Sequence, residues 1–297
     1  MSNKLRKMTL EKKHNLTGWA FLAPATFLIA VFSFWPMIKA LVLSFQTGKG
    51  RNMQMAGFTN YIRMFQDDVF IQSIKNTFFY FILQVPIMLV VALVLACILN
   101  KKDLRFKGFF RTMIFVPCTT SLVGYSIIFR SLFANNGLVN YVLVNIGILD
   151  KPYNFLTQPF AAKMVILLGL LWRWTGYNMV FFLSGLQNIE YSVYEAAKID
   201  GASAIQTFFK ITVPLLKPTI LLTAIMSTNG TLQLFDESVN LTDGGPANAS
   251  ISMSHYIYNL CFKYVPNFGY AAAMSFFILL LVAVLAFIQM RVGDKRD

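Results

Sequence analysis

The chain is poor in the side chains that usually carry covalent or metal chemistry. Among 297 residues there are three cysteines, Cys97, Cys118 and Cys261, and two histidines, His14 and His255. The cysteines lack the spacing of a zinc ligand set or a redox pair, and two of them fall in apolar runs, so neither a metal site nor a disulfide framework follows. Neither histidine has a partner near it in sequence, and Asp67-Asp68 is the only adjacent aspartate pair. That argues against a membrane-embedded transferase, which needs reactive groups converging on one pocket. A G-x-x-x-x-G-K-[ST] phosphate loop is missing as well, because Gly48-Lys49-Gly50 has the wrong spacing. Charge is scarce: 13% of residues are charged and 56% are hydrophobic. A soluble domain has about a quarter of its residues charged and about half apolar, so this is an integral membrane protein.

What the chain does have is long apolar runs. A spanning helix needs about 20 mostly apolar residues, and six stretches qualify: roughly 17–45, 76–99, 109–133, 161–187, 216–236 and 265–290. An even number places both termini on one side. The net charge of +13 would suit nucleic acid as a partner, but its placement points to a lipid bilayer instead. Of 26 lysines and arginines, 16 lie in the N-terminal tail, the loop 100–111, the loop near residues 187–217 and the C-terminal tail. The positive-inside rule makes these segments cytoplasmic. Basic residues before Ala23-Pro24-Ala25 mimic a signal peptide, yet 17–45 outruns a signal core of about 7–15 residues, so a retained first helix is expected. No repeat or linker divides the chain, which argues against an ion-coupled carrier built from inverted repeats. The expected layout is a basic tail 1–15, a first helix and external loop 16–70, a membrane domain 71–290 and a short tail 291–297.

Polar residues inside spans mark protein contacts or a water-filled path, because each is expensive in hydrocarbon. Lys39 and Arg130 sit near external ends and can snorkel. Arg173 is about 14 residues, or roughly 21 Å, from the cytoplasmic end of its helix, so a buried partner, with Asp236 or Glu237 as candidates, or a place on the substrate path is expected. The fifth span carries a polar cluster in which Ser227, Gly230, Thr231 and Leu234 share one face. Trp172, Trp174 and Tyr177 on the fourth span supply aromatic platforms beside it. Simple small-residue packing is the bland alternative for the fifth-span set.

The most specific stretch is Glu195-Ala196-Ala197-Lys198-Ile199-Asp200-Gly201-Ala202, continuing through Ser203 to Pro214. Tyr191 to Asp200 reads as a short helix, Gly201 as a sharp turn, and Ser203 with Gln206 as a capping box opening the next helix. Ile205, Phe208, Phe209 and Thr212 then recur at helical spacing, a stripe suited to rest against the membrane domain. The spacing Glu-Ala-Ala, three residues, Gly, nine residues, Ile-x-x-Pro resembles the coupling motif of binding-protein-dependent ABC importer permeases. Phe21-Leu22-Ala23-Pro24, Phe235-Asp236, the Leu241-Thr242-Asp243-Gly244-Gly245-Pro246 loop and Gly269-Tyr270-Ala271-Ala272-Ala273-Met274 extend the resemblance to the maltose-type sugar permease over nearly everything beyond residue 15. Two departures are visible, Glu190 where the family has proline and Val213 where it has leucine.

That resemblance implies an all-α protein of six transmembrane helices with the type I ABC importer permease fold. It implies a heterodimer with a second permease, two ATPase subunits that bind ATP and Mg, and an extracytoplasmic substrate-binding protein delivering a carbohydrate. It assigns Glu195, Ala196, Ala197, Asp200, Gly201 and Pro214 to ATPase coupling. It also places sugar contacts on Trp174, Tyr177, Ser227, Gly230, Thr231 and Leu234. No cofactor is expected in this chain itself.

Overall fold

In the computed structural model, residues 10–49, 52–101 and 103–293 are described. Most of the N-terminal tail and the end of the C-terminal tail therefore lie outside the described residues. The chain opens with α1 (Leu10–Ile29), which runs through a π-helical turn at Ala30–Phe34 into α2 (Trp35–Ser44). Then comes a departure from an all-helical reading. The loop after α2 holds an antiparallel hairpin, β1 (Gln46–Lys49) against β2 (Asn52–Met55), with Gln46 opposite Met55, followed by α3 (Thr59–Met64).

The second span is α4 (Asp68–Asn100), which starts a full two turns before its apolar run. Its start is fixed by Asp67, whose carboxylate accepts from the backbone of Val69 and Phe70, an N-cap that satisfies two otherwise orphaned donors. The third span is not one helix. It divides into α5 (Lys107–Thr119) and α6 (Leu122–Leu132), bent by 98°. Pro117 lacks the N–H that would continue the ladder, Thr120 is extended, and the Ser121 hydroxyl caps the new helix at Gly124. A short α7 (Leu138–Asn145) leads to α8 (Pro159–Gln187), the fourth span.

Beyond it lie α9 (Tyr191–Ile199), α10 (Ala204–Thr207), a π-helical turn at Phe208–Thr212, α11 (Val213–Leu215) and α12 (Lys217–Leu232). The fifth span is therefore shorter than 216–236 and is bent by 71° from the segment before it, with Pro214 and Pro218 on either side of the bend. Asp236 belongs to a separate helix, α13 (Asp236–Thr242). Next come α14 (Met253–Tyr258), with Met253, His255 and Tyr256 buried, and finally α15 (Phe268–Gly293). Among the described residues, four helices are long and apolar enough to cross a membrane, and six passages result when each of the two bent pairs counts as one span.

Packing is organised around α4 and α8, which run along each other; α5 lies on α8, α12 touches α4, α8 and α15, and α2 lies on α15. Three apolar clusters hold this together. One joins the last turns of α4 and α8 to the bend before α12 through Ala96, Phe182 and Leu216. A second joins Tyr80, Tyr125, Leu170 and Leu234. The third gathers Phe70, Met253, Tyr270 and Met274 near the start of α4. By contrast, no part of the apolar window of His14–Ser44 is buried within this chain.

Candidate functional site: a membrane cavity and a coupling turn

Between α4, α8, α12 and α13 lies a cavity of about 430 Å³, within the usual size range of small-molecule sites. Arg173, Trp174, Tyr177, Ser227, Gly230, Thr231 and Leu234 all line it. Helical spacing brings them there: Trp174 and Tyr177 are one turn apart on α8, their rings edge to face at 5.8 Å. Trp172 is not part of this wall; it packs on Tyr125 and Phe129. Sequence reading passed over Gln84, Met88 and Asn178, which also line the cavity. Gln84 and Asn178 are polar residues inside apolar spans, the signal that marked Arg173.

Thr231 is almost fully buried, and its hydroxyl donates to Gln84 Oε1 at 2.6 Å with the Ser227 carbonyl also in range at 2.9 Å. Ser227 donates to Asn178 Oδ1 at 3.3 Å. Arg173 does not form the expected ion pair: neither Asp236 nor Glu237 is within salt-bridge distance, although both line the same cavity. Instead its guanidinium donates to the Thr120 carbonyl at 2.9 Å and lies 5.2 Å from the Tyr125 ring and 5.5 Å from the Trp174 ring. The break between α5 and α6 explains the change. It leaves a free carbonyl at the C-terminal end of a helix, which attracts a cation. Burial raises the Glu237 carboxyl above its ordinary value.

At the other end of α8 sits the turn 187–217. Gly201 has φ +76°, a region open to glycine and costly for other residues. The Ser203–Gln206 capping box is present in both directions, at 3.3 Å and 2.8 Å. Glu195, Ala196, Asp200, Gly201 and Pro214 are exposed, whereas Ala197 is buried and faces the protein. The apolar stripe splits for the same reason, since the π-helical turn shifts its phase. Thr212 is buried and Phe208 packs inward, while Ile205 and Phe209 are exposed at 71% and 65% and Ile199 protrudes at 85%. Glu190 takes the N-cap position of α9 with no side-chain bond to the helix backbone.

A polytopic helical protein with a ligand-sized cavity between its spans and an exposed helix-turn-helix at one face fits the class of transport permeases. Residues 68–296 match the family of binding-protein-dependent transport system inner membrane components, and the chain belongs to that family. It is 50% identical over 292 residues, 98% of each chain, to the lactose transport system permease protein of Rhizobium radiobacter. Identity is 33% to the multiple sugar-binding transport system permease of Streptococcus mutans, covering 97% of this chain and 99% of that one. It is 31% to the arabinooligosaccharides transport system permease of Bacillus subtilis, covering 93% and 88%. A crystal structure of a bacterial ABC transporter that imports the acidic polysaccharide alginate shares the fold, with TM-score 0.84 at 24% identity and 95% and 96% coverage. A bacterial alginate ABC transporter in complex with an alginate pentasaccharide-bound periplasmic protein matches at TM-score 0.84 and 25% identity, with 96% of each chain covered.

Proposed function

We propose that this chain is the sugar-conducting permease of an ABC importer whose cargo is a neutral disaccharide of the lactose type. The observation that carries this reading is the cavity, where aromatic faces from α8 meet hydroxyl and amide groups from α4, α8 and α12. Aromatic rings suit the C–H faces of a sugar, and the polar groups suit its hydroxyls. The 50% identity to a lactose permease supports the choice of sugar.

In this reading both termini and the turn 187–217 are cytoplasmic. Two ATPase subunits, which bind ATP and Mg, dock on Glu195, Ala196, Asp200 and Gly201, with Ile199, Ile205 and Phe209 as apolar anchors. Pro214 keeps its coupling role as one side of the bend, and Ala197 acts from within by seating α9. A second permease completes the pathway and covers α1, and an extracytoplasmic binding protein delivers the sugar to the opposite face. Nucleic acid has no part in this.

The experiment is uptake of radiolabelled lactose by proteoliposomes containing the whole complex. Tyr177→Ala and Thr231→Val are each expected to lower uptake about tenfold, the scale of one lost contact of about 1.4 kcal/mol, with assembly and basal ATP hydrolysis intact. Normal uptake in both variants, or loss only through failed assembly, makes these packing positions.

A further inference from the structure

Gln84 and Met88 lie one turn apart on α4, and Asn178 meets them from α8. Gln84 Nε2 donates to Met88 Sδ at 3.5 Å, and Asn178 Nδ2 donates to the same sulfur at 3.5 Å. Two buried amides therefore converge on one thioether, which is only a weak acceptor. Asn178 has a second acceptor, the Trp174 carbonyl at 3.1 Å. Gln84, 3% exposed, has no other acceptor for Nε2 among the described residues. A buried N–H held by so poor a partner retains much of its desolvation cost, and an oxygen in place of the sulfur relieves it. The amide's orientation follows from the same chemistry, since the reverse placement sets its carbonyl oxygen against the sulfur lone pairs.

The hydroxyls on α12 complete the pattern. Thr231 and Ser227 direct their protons at Gln84 and Asn178, so toward the cavity they offer lone pairs. The wall thus presents amide donors from α4 and α8 beside hydroxyl acceptors from α12. A saccharide hydroxyl, which both donates and accepts, matches that alternation.

We propose that Gln84 is a saccharide-contacting residue whose Nε2 donates to a sugar oxygen, with Met88 Sδ holding that donor while the cavity is empty. This rests on the reading of the cavity as the sugar path. It adds α4 to the helices that determine specificity, and it makes Met88 a placeholder displaced on binding.

The test is equilibrium dialysis of radiolabelled lactose, and of its singly deoxygenated analogues, against the purified full complex without binding protein. Gln84→Leu is expected to weaken lactose about tenfold, since one sugar contact and one internal bond are lost together. One deoxygenated analogue should lose the same factor on the unmodified complex and nothing further on Gln84→Leu. Met88→Leu conserves volume and removes the competing acceptor, so it should tighten lactose binding about threefold; this variant decides the matter if Gln84→Leu does not assemble. Independent losses for every analogue, or unchanged affinity in Met88→Leu, overturn the assignment. If Tyr177→Ala and Thr231→Val leave lactose binding untouched, the cavity reading itself fails. If they weaken it while the Gln84 and Met88 series stays flat, only the present inference fails.

Discussion

Gly201 adopts φ +76° with nothing within 4 Å of the place a Cβ would occupy. A side chain there meets no neighbour, so its cost is conformational. That cost is about 1–2 kcal/mol for an ordinary L residue, least for asparagine and largest for a β-branched one. Lactose uptake is therefore expected to fall in the order Gly201, Asn, Ala, Val, with Gly201→Val below about a tenth of normal, membrane insertion unchanged and ATPase association weakened. Full uptake by Gly201→Val would falsify the coupling role of the turn. Arg173 shows the opposite relation between sequence and structure. Its depth in the span demanded a partner, and the sequence offered Asp236 and Glu237, the nearest acidic residues by helical rise. The carbonyl of Thr120 was hidden from such counting because it exists as a free acceptor only where the backbone leaves the helix.

At the level of elements, α5 is seated on α8 through bare backbone. A Cβ on Gly176 would stand 1.9 Å from the Ile114 carbonyl oxygen, and backbone cannot step aside as a flexible side chain can. Gly176→Ala is expected to destabilise by about 1–3 kcal/mol or more, read as a lowered thermal midpoint of the purified complex and reduced uptake. An unchanged midpoint would show that α5 relaxes freely. The long spans were legible because apolar length alone specifies them, as with α4, α8 and α15. So was the turn around Gly201, where Gly201, Ser203 and Gln206 each encode their conformation locally. The breaks were not. Thr120-Ser121 sits inside an apolar run that periodicity reads as continuous, and its 98° bend is stabilised by the distant Arg173. Likewise the strand pairing of Gln46–Lys49 with Asn52–Met55 arises from a polar loop in which only the four residues Asn52-Met53-Gln54-Met55 alternate, too short a run to mark a strand by itself. In the cavity, Ser227 and Thr231 followed from helical spacing and Trp174 and Tyr177 from their aromatic rings and the family resemblance, but Gln84 entered it only through the packing of α4 on α8 and α12.

Across the whole molecule, the layer around α14 ties distant parts of the chain together by buried polar contacts. Asp67 Oδ2 accepts from Tyr256 at 2.7 Å and Tyr270 at 2.8 Å. Burial alone would raise this carboxyl, but those bonds and the α4 backbone donors hold it below its ordinary value. His255 is the more sensitive group. Ser238 Oγ donates to the Ser250 carbonyl and accepts from Ser252 N–H, so His255 Nδ1, at 2.9 Å, must be the donor to it. Nε2 is left without a hydrogen-bond partner, 3.7 Å from Asp243. Burial pushes the imidazole down to about 4, with Asp243 opposing and Lys263 adding to the shift. Because the folded value lies below the ordinary 6.5, the unfolded state binds the proton first as pH falls. Hydrogen-exchange protection of α14 should be flat above about 6.5 and decline toward about 4, and His255→Gln should flatten the decline. Constant protection down to pH 4 in the unmodified chain would refute it. A mechanical consequence follows from the bend at Leu216, where Pro218 has no N–H to donate but two backbone bonds still tie the arms together: Leu216 N–H reaches the Thr212 carbonyl at 3.0 Å and Ile220 N–H the Leu216 carbonyl at 2.9 Å. The segment is therefore a crank whose long arm, Leu216 to Thr231, measures roughly 22 Å. Turning such an arm through about 10° against a stationary α4 sweeps its far end by roughly 4 Å. The Thr231–Gln84 bond of 2.6 Å would not span that stroke, so a swing of this size would part a hydroxyl from an amide and leave both facing whatever occupies the cavity.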